Sequence, residues 1–103
     1  MSVVVVATIY PNAAWRGEVI AALENSVIRV HAEDMGCELY ALHEGRDRLV
    51  MVEKWVNEAA LTAHGDSPAI IELLAHLDGK LAGPIDVQVL SPHPTGTPGQ
   101  GTV

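Results

Sequence analysis

The chain contains no phenylalanine, one cysteine and only six lysine or arginine residues among its 103 positions. Each scarcity excludes something. Cys37 has no partner for an internal disulfide, and a lone thiol fits a reducing, cytoplasmic setting. The basic residues Arg16, Arg29, Arg46, Arg48, Lys54 and Lys80 are scattered among 13 acidic ones, for a formal charge of −7. An acidic chain without a Lys/Arg cluster repels phosphate backbones and gains no counterion release, which argues against nucleic acid and anionic membrane surfaces as partners. No apolar run reaches the ~18 residues of a membrane span. The apolar start, Val3 to Tyr10, is short, lacks the positive flank of a signal peptide and stops at Pro11.

What is abundant is apolar character. Hydrophobic residues make up 49% and charged residues 18% of the chain, against about 25% charged in an average protein. A domain of this length hides only about two-thirds of the surface its unfolded chain exposes. The surplus apolar surface needs a second place to go, either another copy or a ligand.

The hydrophobic pattern predicts the order β-α-β-β-α-β over residues 1–90. Val3 to Tyr10 is β-branched and apolar at almost every position, as in a strand covered on both faces. Asn12 caps a helix from Ala13, in which Trp15, Val19, Ala22, Leu23, Val27 and Val30 recur at helical spacing until Asp34 to Gly36. Cys37 to His43 alternates, with Cys37, Leu39 and Ala41 expected on one face. The polar turn Glu44 to Asp47 then leads into a second run, Arg48 to Trp55, which completes a hairpin. Asn57 caps a short helix ending at Gly65, and Ser67-Pro68 restarts it with Ile70, Leu73, Leu74 and Leu77 as a stripe. Ile85 to Leu90 alternates as the last strand. The Pro/Gly/Thr-rich segment 91–103 has little to bury and is expected to be a flexible tail.

This is the ferredoxin-like α+β order: an antiparallel sheet with helices on one face, here with the second helix broken in two. The other sheet face is left open and apolar, a condition that monomers seldom tolerate. The pattern therefore predicts a homodimer formed through the open sheet faces.

Gly36-Cys37-x-x-Tyr40, Glu53-x-Trp55, Ala60-Leu61-x-x-His64 and Ser67-Pro68 follow one another on this frame. In that order and spacing they resemble the antibiotic biosynthesis monooxygenase family of small dimeric ferredoxin-like proteins, over residues 3 to 90. The resemblance implies dimers through the open sheet faces and a pocket between sheet and helices. Some members oxidise polycyclic phenols with O₂ and no metal, flavin or haem; others oxidise quinols, one branch degrades haem, and another set has no known activity.

The candidate catalytic residues are Glu53 and His64. Glu53 shares a strand face with Trp55, and an apolar setting disfavours an ionised carboxylate. Such a group can take a phenol proton and leave an electron-rich phenolate for O₂. It can equally be a structural carboxylate. His64 can act as a base or hold a substrate hydroxyl, or simply cap its helix. Trp55, Tyr40, Asn57, Tyr10 and Trp15 are the candidate substrate-binding residues. Packing (Trp55), an exposed or interfacial strand position (Tyr40) and helix capping (Asn57) are the plain alternatives.

No cofactor is expected. The haem branch uses a first-strand Asn and a Trp in the second helical region. Here Asn12 lies beyond Pro11, residues 58–77 hold no Trp, and His76 is the nearest candidate axial ligand. The histidines His31, His43, His64, His76 and His93 are too dispersed for a metal motif. The expected function is a cofactor-independent monooxygenase or quinol oxidase acting with O₂ on a small aromatic molecule. The alternatives are a non-catalytic ligand-binding or stress protein, a purely structural dimer, and, less favoured, haem degradation.

Overall fold

The computed structural model describes residues 1–103. Its elements are β1 (Val3–Ile9), a 3-10 turn (Ala13–Trp15), α1 (Arg16–Glu33), β2 (Cys37–Glu44), β3 (Leu49–Trp55), α2 (Glu58–Gly65), α3 (Pro68–Leu77) and β4 (Asp86–Leu90). The four strands form one antiparallel sheet in the order β2-β3-β1-β4. This is the ferredoxin-like α+β arrangement that the sequence pattern predicts.

Side-chain alternation divides the sheet into two faces. On the inner face, Val5 and Ile9 of β1 join Leu49, Met51, Glu53 and Trp55 of β3, all buried. Against them α1 sets Val19, Leu23, Ser26 and Val30, spaced four, three and four residues apart so that they share one helix face. Ala69, Leu73 and Leu77 of α3 complete the core. Arg29 of α1 is ion-paired with Glu72 of α3 across their outer surfaces.

The helix starts follow their capping residues. Asn12 Oδ1 accepts from Ala14 N at 3.1 Å, Asn57 Oδ1 from Ala60 N at 2.8 Å, and Ser67 Oγ from Ile70 N at 3.3 Å. Pro68 occupies the first position of α3, where its missing N–H has no helical partner to lose.

Two expectations need correction. The first helix does not run from Ala13. Its opening residues form a 3-10 turn, and Trp15 falls off the buried stripe with 40% exposure. Nor does the face of β2 run through Cys37, Leu39 and Ala41. A register irregularity between Cys37 and Leu39 pairs Cys37 with Trp55 and Tyr40 with Glu53. This extra residue turns Tyr40 and Leu42 inward and leaves Leu39 and Ala41 on the outer face.

The outer face carries Val4, Val6 and Thr8 of β1, Val50 and Val52 of β3, and Leu39 and Ala41 of β2. No helix covers it. Residues 91–103 contain no strand or helix; Gly101 N donates to Thr97 O at 2.8 Å in a turn, and Lys54 Nζ donates to Val103 O at 2.8 Å. No helix is long and apolar enough to cross a membrane.

Gly36 brings distant parts of the chain together. It has φ +78°, a conformation glycine adopts without strain. A Cβ there would lie 2.7 Å from both Val56 Cγ1 and Ala60 Cβ. Its carbonyl accepts from Val56 N at 2.8 Å. The link from α1 to β2 is thus pressed onto the link from β3 to α2, and Asp34 comes to lie beside His64.

Candidate functional site

Between the inner sheet face and helices α2 and α3 lies a cavity of about 370 Å³, 13 of whose 16 lining residues are hydrophobic. Val5, Ala7 and Met51 form its sheet wall, and Leu61, Ile70 and Leu73 its helix wall. Val87 of the edge strand β4 also lines it and is 54% exposed, so this side is the opening. The polar side chains are gathered at the other end: Glu53 and His64, with Tyr40 beside them.

Glu53 sits at this end because β3 alternates without interruption from Leu49 to Trp55, placing residue 53 on the buried face. It is 5% exposed. Burial pushes its carboxyl pKa up from the ordinary 4.5 to about 7, partly offset by the Trp55 indole, whose Nε1–H donates to Glu53 Oε1 at 2.9 Å. Glu53 is therefore divided between its acid and base forms near neutral pH.

His64 lies on the buried side of α2 and is 7% exposed. Its Nδ1 is 2.6 Å from Asp34 Oδ2, and its Nε2 is 3.9 Å from Glu53 Oε1. The ring does not cap the helix. It lies over the Trp55 indole at a centroid distance of 4.4 Å and meets the Tyr40 ring edge-on at 5.3 Å. The Tyr40 hydroxyl is pushed well above its usual pKa, first by burial and then by the neighbouring Glu53 carboxylate. Cys37 is raised for the same two reasons, with Asp34 contributing as well.

The structure brings Glu53, His64, Tyr40 and Trp55 together. Trp55 has no exposed surface and does not line the cavity; it stands behind Glu53 as hydrogen-bond donor and behind His64 as a stacking surface. Asn57 also lies outside the cavity, where its side chain caps α2. Tyr10 and Trp15 are remote as well. The Arg48 guanidinium sits 5.0 Å from the Tyr10 ring centroid, and the Lys80 ammonium 5.7 Å from that of Trp15. His76 faces Glu72 on the exposed side of α3, away from the cavity.

Asp34 is the residue that sequence reasoning misses, since the pattern marks it only as the end of α1. A carboxylate at the C-terminal end of an 18-residue helix faces the negative pole of the helix dipole. With its side chain only 6% exposed, it needs a positive or donating partner. That unfavourable placement is the one signal the sequence offers.

Comparison with known proteins agrees with the fold. The antibiotic biosynthesis monooxygenase family pattern matches residues 2–75. A Mycobacterium tuberculosis protein named "Putative monooxygenase Rv0793" is 34% identical over 92 residues, covering 87% of this chain and 90% of its own. The solved structure of Rv0793 superposes with a TM-score of 0.86 at 27% identity, covering 94% of this chain and 100% of that one. A Caulobacter crescentus structure described as a putative antibiotic biosynthesis monooxygenase gives 0.82 at 23% identity, covering 86% and 87% of the two chains, and shows the shared fold. The chain belongs to the antibiotic biosynthesis monooxygenase family.

Proposed function

We propose that this protein is a cofactor-independent monooxygenase or quinol oxidase that takes a small aromatic phenol or quinol into the cavity beside Glu53 and His64. The observation that carries the reading is a carboxyl with a pKa of about 7 at the polar end of an otherwise apolar cavity. A base of that strength works near neutral pH, where both of its protonation states are populated. The apolar walls suit a flat hydrocarbon body, and the polar end suits its hydroxyl.

In this reading Glu53 removes the proton of the bound substrate. The resulting anion is electron-rich and passes electrons to O₂. For an anthrone-type substrate, a ring CH₂ becomes C=O, one oxygen atom is retained and the other leaves as water. For a quinol, two electrons and two protons go to O₂, giving quinone and hydrogen peroxide. Tyr40 closes the polar end as a protonated hydroxyl, and Trp55 holds Glu53 in place. The protein supplies desolvation, orientation and a base.

The same reading makes the molecule a homodimer through the outer sheet face. Val4, Val6, Val50, Val52, Leu39 and Ala41 form an apolar surface that no helix covers. The half-buried thiol of Cys37 suits a reducing, cytoplasmic location.

The test is oxygen consumption with a panel of anthrones and naphthoquinols, comparing the parent with Glu53→Gln and His64→Ala. Substrate-dependent uptake that falls at least tenfold in both variants is expected. Uptake unchanged in both rejects the site. A second reading, a ligand-binding or stress protein without catalysis, draws on the apolar lining of the same cavity. It predicts a raised melting temperature with these aromatics and no oxygen consumption.

A further inference from the structure

His64 is the one residue that lines both the inner cavity and a second, more open cleft on the far side of α2. This outer cleft measures about 740 Å³ and is bordered by Glu33, Asp34 and Asp66. Asp34 lines it and does not line the cavity, whereas Glu53 lines the cavity and not the cleft. Three titratable side chains therefore stand in a row from an apolar interior to an acidic, water-accessible surface. The two gaps are 3.9 Å, from Glu53 Oε1 to His64 Nε2, and 2.6 Å, from His64 Nδ1 to Asp34 Oδ2.

We propose that Asp34 is a positioning residue that holds His64 as the proton gate between the apolar cavity and the outer cleft. The inference rests on the reading of Glu53 as the base. Glu53 needs somewhere to discharge the proton it collects, and His64 is the basic side chain that shares the cavity lining with it. An ionised Asp34 carboxylate accepts the Nδ1–H of His64 and so fixes that tautomer. The Nε2 lone pair is left facing Glu53. Once the 3.9 Å gap to Nε2 closes to hydrogen-bond length, the Glu53 proton crosses, Asp34 stabilises the imidazolium that forms, and the Nδ1 proton leaves by way of Asp34 to water in the cleft. The Glu53 O–H and His64 Nδ1–H bonds break, an Nε2–H bond forms and one proton reaches solvent; the ring returns to its Nδ1-bound form by exchange with water before the next transfer. The remaining groups at the gate are Tyr40, whose ring meets His64 edge-on, and Cys37, whose thiol senses both Asp34 and Glu53.

The arrangement can be tested without any substrate. Side-chain ¹⁵N resonances of His64 report which ring nitrogen carries hydrogen. In the parent at pH 8.5, the Nδ1-bound form is expected. Asp34→Asn presents an amide that can donate to Nδ1, so the ring should change to the Nε2-bound form. Its Nε2–H then points at Glu53 and favours the carboxylate, so the ¹³C titration midpoint of Glu53 should fall by at least half a pH unit. Asp34→Glu, which keeps a carboxylate, should restore the Nδ1-bound form. A substitution acting only on packing moves neither readout. A proton on Nε2 of the parent at pH 8.5 overturns the proposal, and that result needs no variant to fold. So does an Asp34→Asn protein whose tautomer and Glu53 midpoint match the parent. Absence of oxygen consumption with every substrate counts against the proposed reaction and leaves the tautomer result standing.

Discussion

Trp55 donates its indole N–H to Glu53 Oε1 at 2.9 Å, between two side chains that neighbour each other on the buried face of one strand. The bond opposes the effect of burial. Burial raises the Glu53 pKa, and the indole donor pulls it back because it favours the charged form. Removing the donor should therefore raise the midpoint further. In ¹³C carboxyl titrations, the Glu53 resonance of the parent should show a midpoint of about 7. In Trp55→Phe the midpoint should move upward, and in Glu53→Gln the resonance should disappear. A parent midpoint near the ordinary 4.5 rejects the description of this carboxyl.

The raised pKa of Glu53 also makes stability depend on pH. Glu53 titrates at 4.5 when exposed and at about 7 when folded. Below the lower value both states are protonated and the group contributes nothing. As pH rises between the two values, the unfolded chain loses the proton first and is favoured. Stability therefore falls through this window and levels off above it. The loss is about 3 kcal/mol, because each pH unit between the two midpoints is worth ~1.4 kcal/mol. Glu53→Gln keeps an oxygen for the Trp55 N–H and removes the charge. Its melting temperature should exceed that of the parent at pH 8 by roughly 5–20 °C and match it at pH 4.5, the upper end corresponding to the whole 3 kcal/mol.

Gly36→Ala should be among the more damaging single-methyl additions in the chain. The new Cβ would sit 2.7 Å from Val56 Cγ1 and Ala60 Cβ, at a φ of +78°. The backbone conformation and the overpacking together should cost about 2–4 kcal/mol. Chemical denaturation measures this directly. Adding Val56→Ala should recover part of the loss, because it removes one clash and leaves the φ.

The outer sheet face gives a prediction about mass. Val52 pairs with Val6 on one side and Ala41 on the other, in the middle of the sheet face that no helix covers. Light scattering should give the parent twice the chain mass of 11.0 kDa at low micromolar concentration, and Val52→Glu a single chain. A parent that stays at the mass of one chain rejects the dimer.

The order of elements was legible because its signals are local. Asn12, Asn57 and Ser67-Pro68 mark helix starts, and alternation from Leu49 to Trp55 places Glu53 beside Trp55. The face of Cys37 is not legible in this way, because the irregularity between Cys37 and Leu39 interrupts the alternation and puts Cys37 on the same side as Tyr40. Trp15 follows a helical spacing but belongs to a 3-10 turn, whose different twist carries it away from the core. Asp34 and His64 are 30 residues apart, and their contact depends on how Gly36 passes beneath Val56. No local pattern encodes a crossing of that kind.

The pH dependence of kcat/KM for oxygen consumption, measured with the best substrate of the panel, reads out the role of Glu53 as the base. It reports ionisations in the free enzyme. The rate should rise with pH through about 7, as Glu53 loses its proton, and Glu53→Gln should lose that limb together with most of the activity. A Glu53→Gln protein that consumes oxygen as fast as the parent, with the same profile, contradicts that role.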